Sequence, residues 1–370
     1  MINRFTKIIT SPKIFVYTLI WLMILVFFGT IAQKNIGLYA SQLKYFSSYF
    51  FIFLGFIPLP GGRLILILMT LNLFASFFKN YLWKMRKIGI IIVHVGGLLL
   101  LIGGGLTAVF SAEGNMVIEE GDQANYVDDY HEMELVLVNT SRMDSLEYTV
   151  FESPILNDGQ RIQYEPLGIE IYIISHIKNI RIENRISPAE SIYKGLLKDF
   201  VLLPRKLEKE NEQNRPGLIY KISGTKINGE GIYGLFLGQG LKDNFVINGN
   251  EYYAEFRRKR TYLPFAIELM DFKKVMHPGT NVAKSYSSEV NLIENRIPRR
   301  KLIKMNEPLR HRGYTFYQAS FVDDREKETT VLAAVKNYGR MFPYISSIIM
   351  SVGLLVHLII NLPILIKKRK

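Results

Sequence analysis

The chain contains no cysteine. A sequence without thiols has no disulfides, no thiolate metal ligands and no CxxCH haem-attachment motif of its own. It also takes no part in thiol–disulfide exchange. Tryptophan is scarce too, with only Trp21 and Trp83 among 370 residues. A redox partner in thiol exchange is therefore excluded as the role of this chain.

Acidic residues are absent from both ends of the chain. Residues 1–110 hold ten Lys or Arg and residues 341–370 hold four, and neither segment has an Asp or Glu. Of 46 bases, 32 therefore lie in residues 111–340 together with all 33 acids, so the net charge of +13 belongs to the two ends. A nearly neutral middle segment lacks the basic surface that follows a phosphate backbone, and no nucleic-acid partner is expected.

Catalytic signatures are missing as well. The sequence has no HExxH, GxSxG, P-loop or paired-carboxylate motif. The middle segment has four histidines without close ligand spacing, His131, His176, His277 and His311. The last two lie beside turn residues, in MHPGT and RHRGY, which favours surface hydrogen bonding. No catalytic residue is predicted.

Long apolar runs dominate what is present, in a chain that is 48% hydrophobic. A helix of roughly 20 apolar residues crosses a hydrocarbon core of about 30 Å. We predict four transmembrane helices, at about residues 14–32, 64–82, 88–110 and 343–366. The first run lacks a small-residue cleavage site and is too long for a signal peptide, so it is expected to remain attached.

The basic segments indicate an orientation. The linker KNYLWKMRK carries four Lys or Arg, and the positive-inside rule places it, the leading segment and the KKRK tail in the cytoplasm. Residues 111–340 are then expected outside. Residues 45–60 are aromatic and apolar but contain Pro58 and Pro60, so we predict an interfacial helix or re-entrant segment on the outer membrane surface and no fifth span.

The middle segment is typical of strands, because short runs alternate or are rich in β-branched and aromatic residues. Turn sequences such as NGE, NGNE, HPGT and RHRG separate the runs, and only residues 187–212 indicate helix or loop. The predicted strands are MELVLV, IEIYIISHI, GLIYKIS, NFVIN, YYAEFRRKR, FAIELMDF, SEVNLIE, GYTFYQASF and TTVLAAV. The predicted fold is thus a membrane α-helical bundle, three helices plus one, with a large all-β or β-rich sandwich or barrel at 111–340, built as one unit or two subdomains.

Two histidines, His94 and His357, fall inside predicted spans. Ionisable residues in a bilayer are costly and typically face a bundle interior, a cofactor or a partner. His94 lies about 9 Å and His357 about 14 Å from the cytoplasmic end of its span, so both are predicted to face one cavity in the inner half of the membrane. Two neutral imidazoles can ligate haem iron axially. The alternative is a hydrogen bond across a helix interface.

Glycine is concentrated in the third span, at Gly96, Gly97, Gly103, Gly104 and Gly105. Without side chains, these positions leave a thin face on the helix. Another helix or a planar macrocycle can lie against such a face, and packing of a helix is the stronger interpretation of the glycines alone.

The sequence resembles the ResB (CcsB) family of System II cytochrome c biogenesis proteins over nearly its whole length. The resemblance is carried by the order of three spans, a large domain and a final span. Three segments add to it, KIGIIIVHVGGLLLLIGGGLTAVFSAEGNMVIEEGD, DFKKVMHPGTNVAKSYSSEVNL and NEPLRHRGYTFYQASF. The GYTFYQASF string is the most specific part, although its aromatic residues indicate a structural role in the core of the domain.

The resemblance implies a multi-pass protein of the bacterial cytoplasmic membrane with both termini inside and a periplasmic domain. It implies a CcsA-type partner, with which the subunit exports haem b and delivers it to the CxxCH motif of apocytochrome c. Thiol-reducing proteins would contribute indirectly. The family's intramembrane histidine corresponds to His94, whereas His357 has no such support. The chain lacks the partner's tryptophan-rich motif and further spans, so it is expected to be a non-catalytic subunit of the synthase.

Two other roles fit the same pattern. One is a scaffold or chaperone that captures apocytochrome and stabilises its partner without binding haem. The other is an unrelated membrane-anchored accessory protein. Haem content and cytochrome c maturation distinguish the three roles.

Overall fold

The computed structural model describes residues 7–80, 85–141, 146–224, 227–240, 242–279, 283–324 and 327–369. The chain forms two compact units. The first comprises Met1–Ala112 and Lys336–Lys370, and the second comprises Glu113–Val335. Along the chain, the second unit is therefore inserted between residue 112 and the last helix of the first unit.

Four long helices build the first unit: α1 (Pro12–Ile36), α2 (Gly62–Asn80), α3 (Ile88–Phe110) and α4 (Phe342–Arg369). Helix α1 starts with a proline, whose fixed φ suits the first turn and whose missing N–H is not needed there. It ends at Gly37, where φ is 83° and glycine avoids the strain of a side chain.

Three of the described helices are long and apolar enough to cross a membrane: α1, α3 and the part Phe342–Leu362 of α4. Only 17%, 22% and 11% of their most apolar windows are buried within the structure, which leaves apolar surface for lipid. The apolar part of α2, Gly62–Phe78, is shorter. Residues 81–82 of the second predicted span lie outside the described residues, and the four-span arrangement stays a prediction.

Helices α3 and α4 pack antiparallel through glycines. Gly89, Gly96 and Gly103 recur every seven residues on α3 and are buried. A Cβ atom at Gly89 would lie 2.6 Å from Cα of His357, and one at Gly96 would lie 2.6 Å from Cγ of Met350. These short separations show that the missing side chains allow close contact between the two helices. By contrast, the structure places no atom within 4 Å of a Cβ at Gly104 or Gly105.

The segment before α2 is a β-hairpin. A π-helical turn at Gln42–Phe46 precedes strands β1 (Phe50–Phe53) and β2 (Ile57–Pro60). The helical alternative predicted for residues 45–60 is therefore wrong beyond this turn, because two prolines remove helix hydrogen bonds while aromatic residues favour strands. The indole N–H of Trp21 donates to the carbonyl of Pro60 (2.9 Å) and fastens the hairpin to α1.

The second unit contains the remaining strands. They are β3 (Ala112–Glu119), β4 (Gln123–Asn139), β5 (Glu147–Glu152), β6 (Arg161–Tyr164), β7 (Ile169–Ile177), β8 (Ile180–Asn184), β9 (Phe200–Pro204), β10 (Gly217–Gly224), β11 (Ile227–Asn228), β12 (Gly231–Phe236), β13 (Asn244–Ile247), β14 (Asn250–Met276), β15 (Ala283–Glu294), β16 (Ile297–Lys304), β17 (Leu309–His311), β18 (Tyr314–Asp324) and β19 (Lys327–Lys336). They form an 11-stranded sheet, a four-stranded sheet with the order β12-β10-β7-β6, and the hairpin β8-β9. The unit is β-rich, as predicted.

Two hydrophobic cores stabilise this unit. The first core lies between the four-stranded sheet and the end of the large sheet that contains β13, so this part of the unit is a sandwich. The buried residues of this core include Leu137 of the large sheet and Ile171 and Tyr220 of the four-stranded sheet. The second core lies within the rest of the large sheet and includes Ile267 and Phe316. Burial of this kind contributes about 25 cal/mol per Å² of apolar surface.

Long-range pairing changes some predicted elements. The runs YYAEFRRKR and FAIELMDF are one strand, β14, interrupted by shifts of register that include the stretch around Pro264. Residues 187–212, predicted as helix or loop, contain β9, which pairs with β8. Leu202 packs with Ile180 in a small separate cluster, so tertiary contacts determine this strand.

Candidate functional site

The first unit contains a mostly apolar cavity of about 560 Å³. Residues from all four long helices and Lys87 border it, and five of them are polar or carry a sulfur atom: Asn72, Ser76, Lys87, His94 and Met350. The cavity is within the usual size range for small-molecule sites, which are apolar with a few polar groups.

His94 is on the second turn of α3 and is half-buried at this cavity. Its Nδ1 lies 2.8 Å from the carbonyl oxygen of Ile90, which can only accept, so Nδ1–H is the donor. The lone pair of the neutral ring is then on Nε2. Metal-ligating histidines typically donate their other ring N–H to a carbonyl or carboxylate in this way.

His357 is placed differently. Its backbone packs against Gly89, and it is absent from the described residues that border the cavity. The side-chain amide of Asn361 donates to Nδ1 of His357 (3.1 Å) and to its carbonyl oxygen (2.8 Å). Because Nδ1 accepts, the proton of the neutral ring is on Nε2, the opposite tautomer to that of His94.

The two histidines also differ in depth. His357 is level with Gly89, five residues from His94 on α3, which corresponds to about 7.5 Å along the helix axis. At the level of Val93, the α4 residue in contact is Gly353. The structure therefore places His94 at the cavity and His357 at the interface between α3 and α4. The position of His357 matches the alternative considered in the sequence, in which an intramembrane histidine lies at a helix interface.

Two polar side chains of the cavity wall have structural partners. The amide of Asn72, which is 3% exposed, donates to the carbonyls of Ser11 (3.0 Å) and Ile9. The hydroxyl of Ser76 donates to the carbonyl of Thr10 (3.3 Å). These bonds attach the chain before α1 to α2 and close one side of the cavity. Lys87 and Met350, which the sequence did not single out, complete its polar and sulfur-bearing lining.

The described residues of the second unit, like those of the first, include no cluster of three or more His, Asp or Glu that could hold a metal ion. His311 is more buried than its turn position suggested, with a side chain that is 18% exposed. Its Nε2 lies 3.5 Å from the carboxylate of Glu294, and its ring meets Phe265 edge to face. These contacts indicate a structural role.

The GYTFYQASF string forms most of β18. Phe316 is fully buried in the second core. The hydroxyl of Ser288 donates to the carbonyl oxygen of the Gln318 side chain (2.6 Å), and the amide of Gln318 donates to the hydroxyl of Thr330 (2.9 Å). This buried network accounts for the polar residue in an otherwise aromatic strand.

The structure thus defines a membrane protein whose apolar helical cavity presents one oriented imidazole and whose β-rich domain is inserted before the last helix. A family model supplies the more specific identification. The model of the ResB-like family matches residues 79–165 and 237–335, about half of the chain, so the protein belongs to the ResB-like family. His94 is inside the matched residues, and His357 is outside them.

A curated relative supports the same family. Protein NrfI of Wolinella succinogenes is 23% identical over 294 residues, which cover 79% of this chain and 29% of NrfI. This chain therefore spans less than a third of that relative's length.

Proposed function

We propose that the protein is a subunit of a System II cytochrome c synthase and haem export complex, in which it handles haem b within the membrane. Its family and its relative NrfI support a role in cytochrome c biogenesis. The observation that carries the haem assignment is the Nδ1–H hydrogen bond of His94 to Ile90 at the wall of an apolar cavity.

The residues at the cavity suit this cargo. Haem is planar and apolar over most of its surface, and imidazole nitrogen and thioether sulfur are common ligands for its iron. His94 supplies a neutral imidazole, and Met350 places a thioether at the same cavity. Gly97 adds no side chain there, and the nearest atom to a Cβ at this position, from Leu73, would be 3.9 Å away. We assign the iron contact to His94 and assign His357 to packing against α3.

No residue of this chain needs to act as an acid or base. Haem supplies vinyl groups to which the thiols of an apocytochrome CxxCH motif add. The chain contributes by binding the cargo, orienting it and excluding water from it. The resemblance further implies that a CcsA-type subunit completes the ligand set, and that the β-rich domain lies outside the cytoplasm and docks the apocytochrome or the partner.

Absorption spectra of the full-length chain co-purified with its CcsA-type partner test the proposal. His94→Ala should lower the Soret absorbance per complex, whereas His357→Ala and the exposed-site control His277→Ala should not. Unchanged haem content in the His94 variant would instead favour the scaffold role. Normal c-type cytochromes after deletion of the gene would leave only an unrelated accessory role.

A further inference from the structure

Lys87 lies immediately before α3, seven residues ahead of His94, and both residues border the cavity. Seven residues are two helical turns, or about 10.5 Å along the axis. The cavity therefore presents a primary ammonium group near one end and an imidazole farther along, with apolar side chains such as Ile90 and Val93 on the wall.

Lys87 has no acidic side chain to pair with within its own unit. The sequence of residues 1–112 and 336–370 contains no Asp or Glu, so no side-chain carboxylate of this unit can pair with the ammonium. Lys87 also directly precedes α3, where the N–H groups of the first helical turn carry partial positive charge. An anionic group on a bound ligand would be stabilised by both features.

We infer that Lys87 binds the carboxylates of the ligand in this cavity, which makes the site selective for an amphiphilic ligand with an apolar planar body and an acidic edge. The inference rests on the proposed function, for which the ligand is haem and the acidic edge carries its two propionates. Lys87 is then a positioning residue that fixes which edge of the macrocycle enters the cavity first.

This orientation has a mechanistic consequence. With the propionates held at Lys87, the opposite edge, which bears vinyl groups, points toward the far end of α3. If the basic linker before α3 is cytoplasmic, as the charge pattern predicts, the vinyl edge leads toward the outer side of the membrane. The reacting edge would thus be presented first to the thiols of an apocytochrome.

A competing explanation is that Lys87 only marks the inner membrane surface and contacts lipid phosphates. Titration of the full-length protein, co-purified with its CcsA-type partner into nanodiscs of zwitterionic lipid, with haem and with haem dimethyl ester separates the two explanations because the ester lacks carboxylates. Lys87→Gln should weaken haem binding about tenfold, the loss of a charge-assisted contact, and leave binding of the ester unchanged. Lys87→Arg should retain most of the affinity for haem.

Lys13→Gln is the matched control, since Lys13 is exposed at the start of α1 and does not border the cavity. It should bind both ligands like the wild type. Equal weakening of haem and ester by Lys87→Gln, or no weakening of either, would overturn the role of Lys87 while leaving haem binding intact. Failure of the wild type to bind either ligand would overturn the proposed function itself, and the inference with it.

Discussion

Replacement of Gly89 by alanine should loosen the contact between α3 and α4. The added Cβ would lie 2.6 Å from Cα and 2.7 Å from Cβ of His357, whereas ordinary contacts are 3.4–4 Å. Both atoms are close to the helix backbone and cannot rotate away, so the helices must separate by about 1 Å. Overpacking of this kind costs about 1–3 kcal/mol, and a gap of this size forfeits roughly a quarter to a half of the dispersion energy of the atoms along it.

Gly104→Ala is the matched control on the same helix. A Cβ there meets no atom within 4 Å, and alanine is favoured over glycine in a helix by about 1 kcal/mol. Because Gly89→Ala gains the same helix preference, the two variants should differ by the overpacking cost alone, roughly 1–3 kcal/mol in the free energy of unfolding. Denaturant titration of the purified full-length protein in mixed micelles, followed by circular dichroism, measures the difference. Equal stability of the two variants would refute the packing of α4 on the glycine face of α3.

Three further predictions concern the β-rich unit, each measured by denaturant titration of the full-length protein. Arg257→Met should lower the free energy of unfolding by about 3–5 kcal/mol because it leaves buried Glu134 unpaired. The added change Glu134→Leu should recover most of that loss. No recovery would argue against the ion pair, in which Nε of Arg257 and Oε1 of Glu134 are 2.8 Å apart. Gln318→Leu should lower the free energy of unfolding by about 1–3 kcal/mol, since it leaves the buried hydroxyls of Ser288 and Thr330 without their amide partner. An unchanged free energy of unfolding would contradict the hydrogen-bond network. Burial holds the pKa of His176 below its usual 6.5. The folded state therefore binds fewer protons than the unfolded state, and the free energy of unfolding should fall as the pH drops below about 6.5. His176→Gln should reduce this loss between about pH 7.5 and about pH 5.5, and an unchanged pH dependence would exclude His176 as its source.

The helices could be predicted because membrane insertion depends on length and composition, which are local properties. Residues 88–110 were predicted as a span, and α3 has the same bounds. The hairpin at 50–60 was missed because an aromatic segment near proline resembles an interfacial helix in composition, and strand pairing distinguishes the two. Similarly, the pairing of β9 with β8 is not visible within residues 187–212.

The site was predictable only in part, for a related physical reason. His94 was identified because an ionisable residue in an apolar run is costly wherever the run packs. The relative depth of His357 depends on the register between α3 and α4, which the contact at Gly89 fixes and which counting from span ends misjudged. Lys87 and Met350 carry no local signal of their own, because a lysine at a span end and a methionine within a span are both common.

Chemical rescue of a His94→Gly variant tests the central claim most directly. Removal of the ring leaves space at the cavity wall into which free imidazole can diffuse and replace the lost nitrogen. The Soret absorbance of the purified complex should fall in the variant and return when imidazole is added, while His357→Gly should retain its absorbance without imidazole. A His94→Gly complex with the full wild-type spectrum in the absence of imidazole would contradict the assignment of His94 to haem.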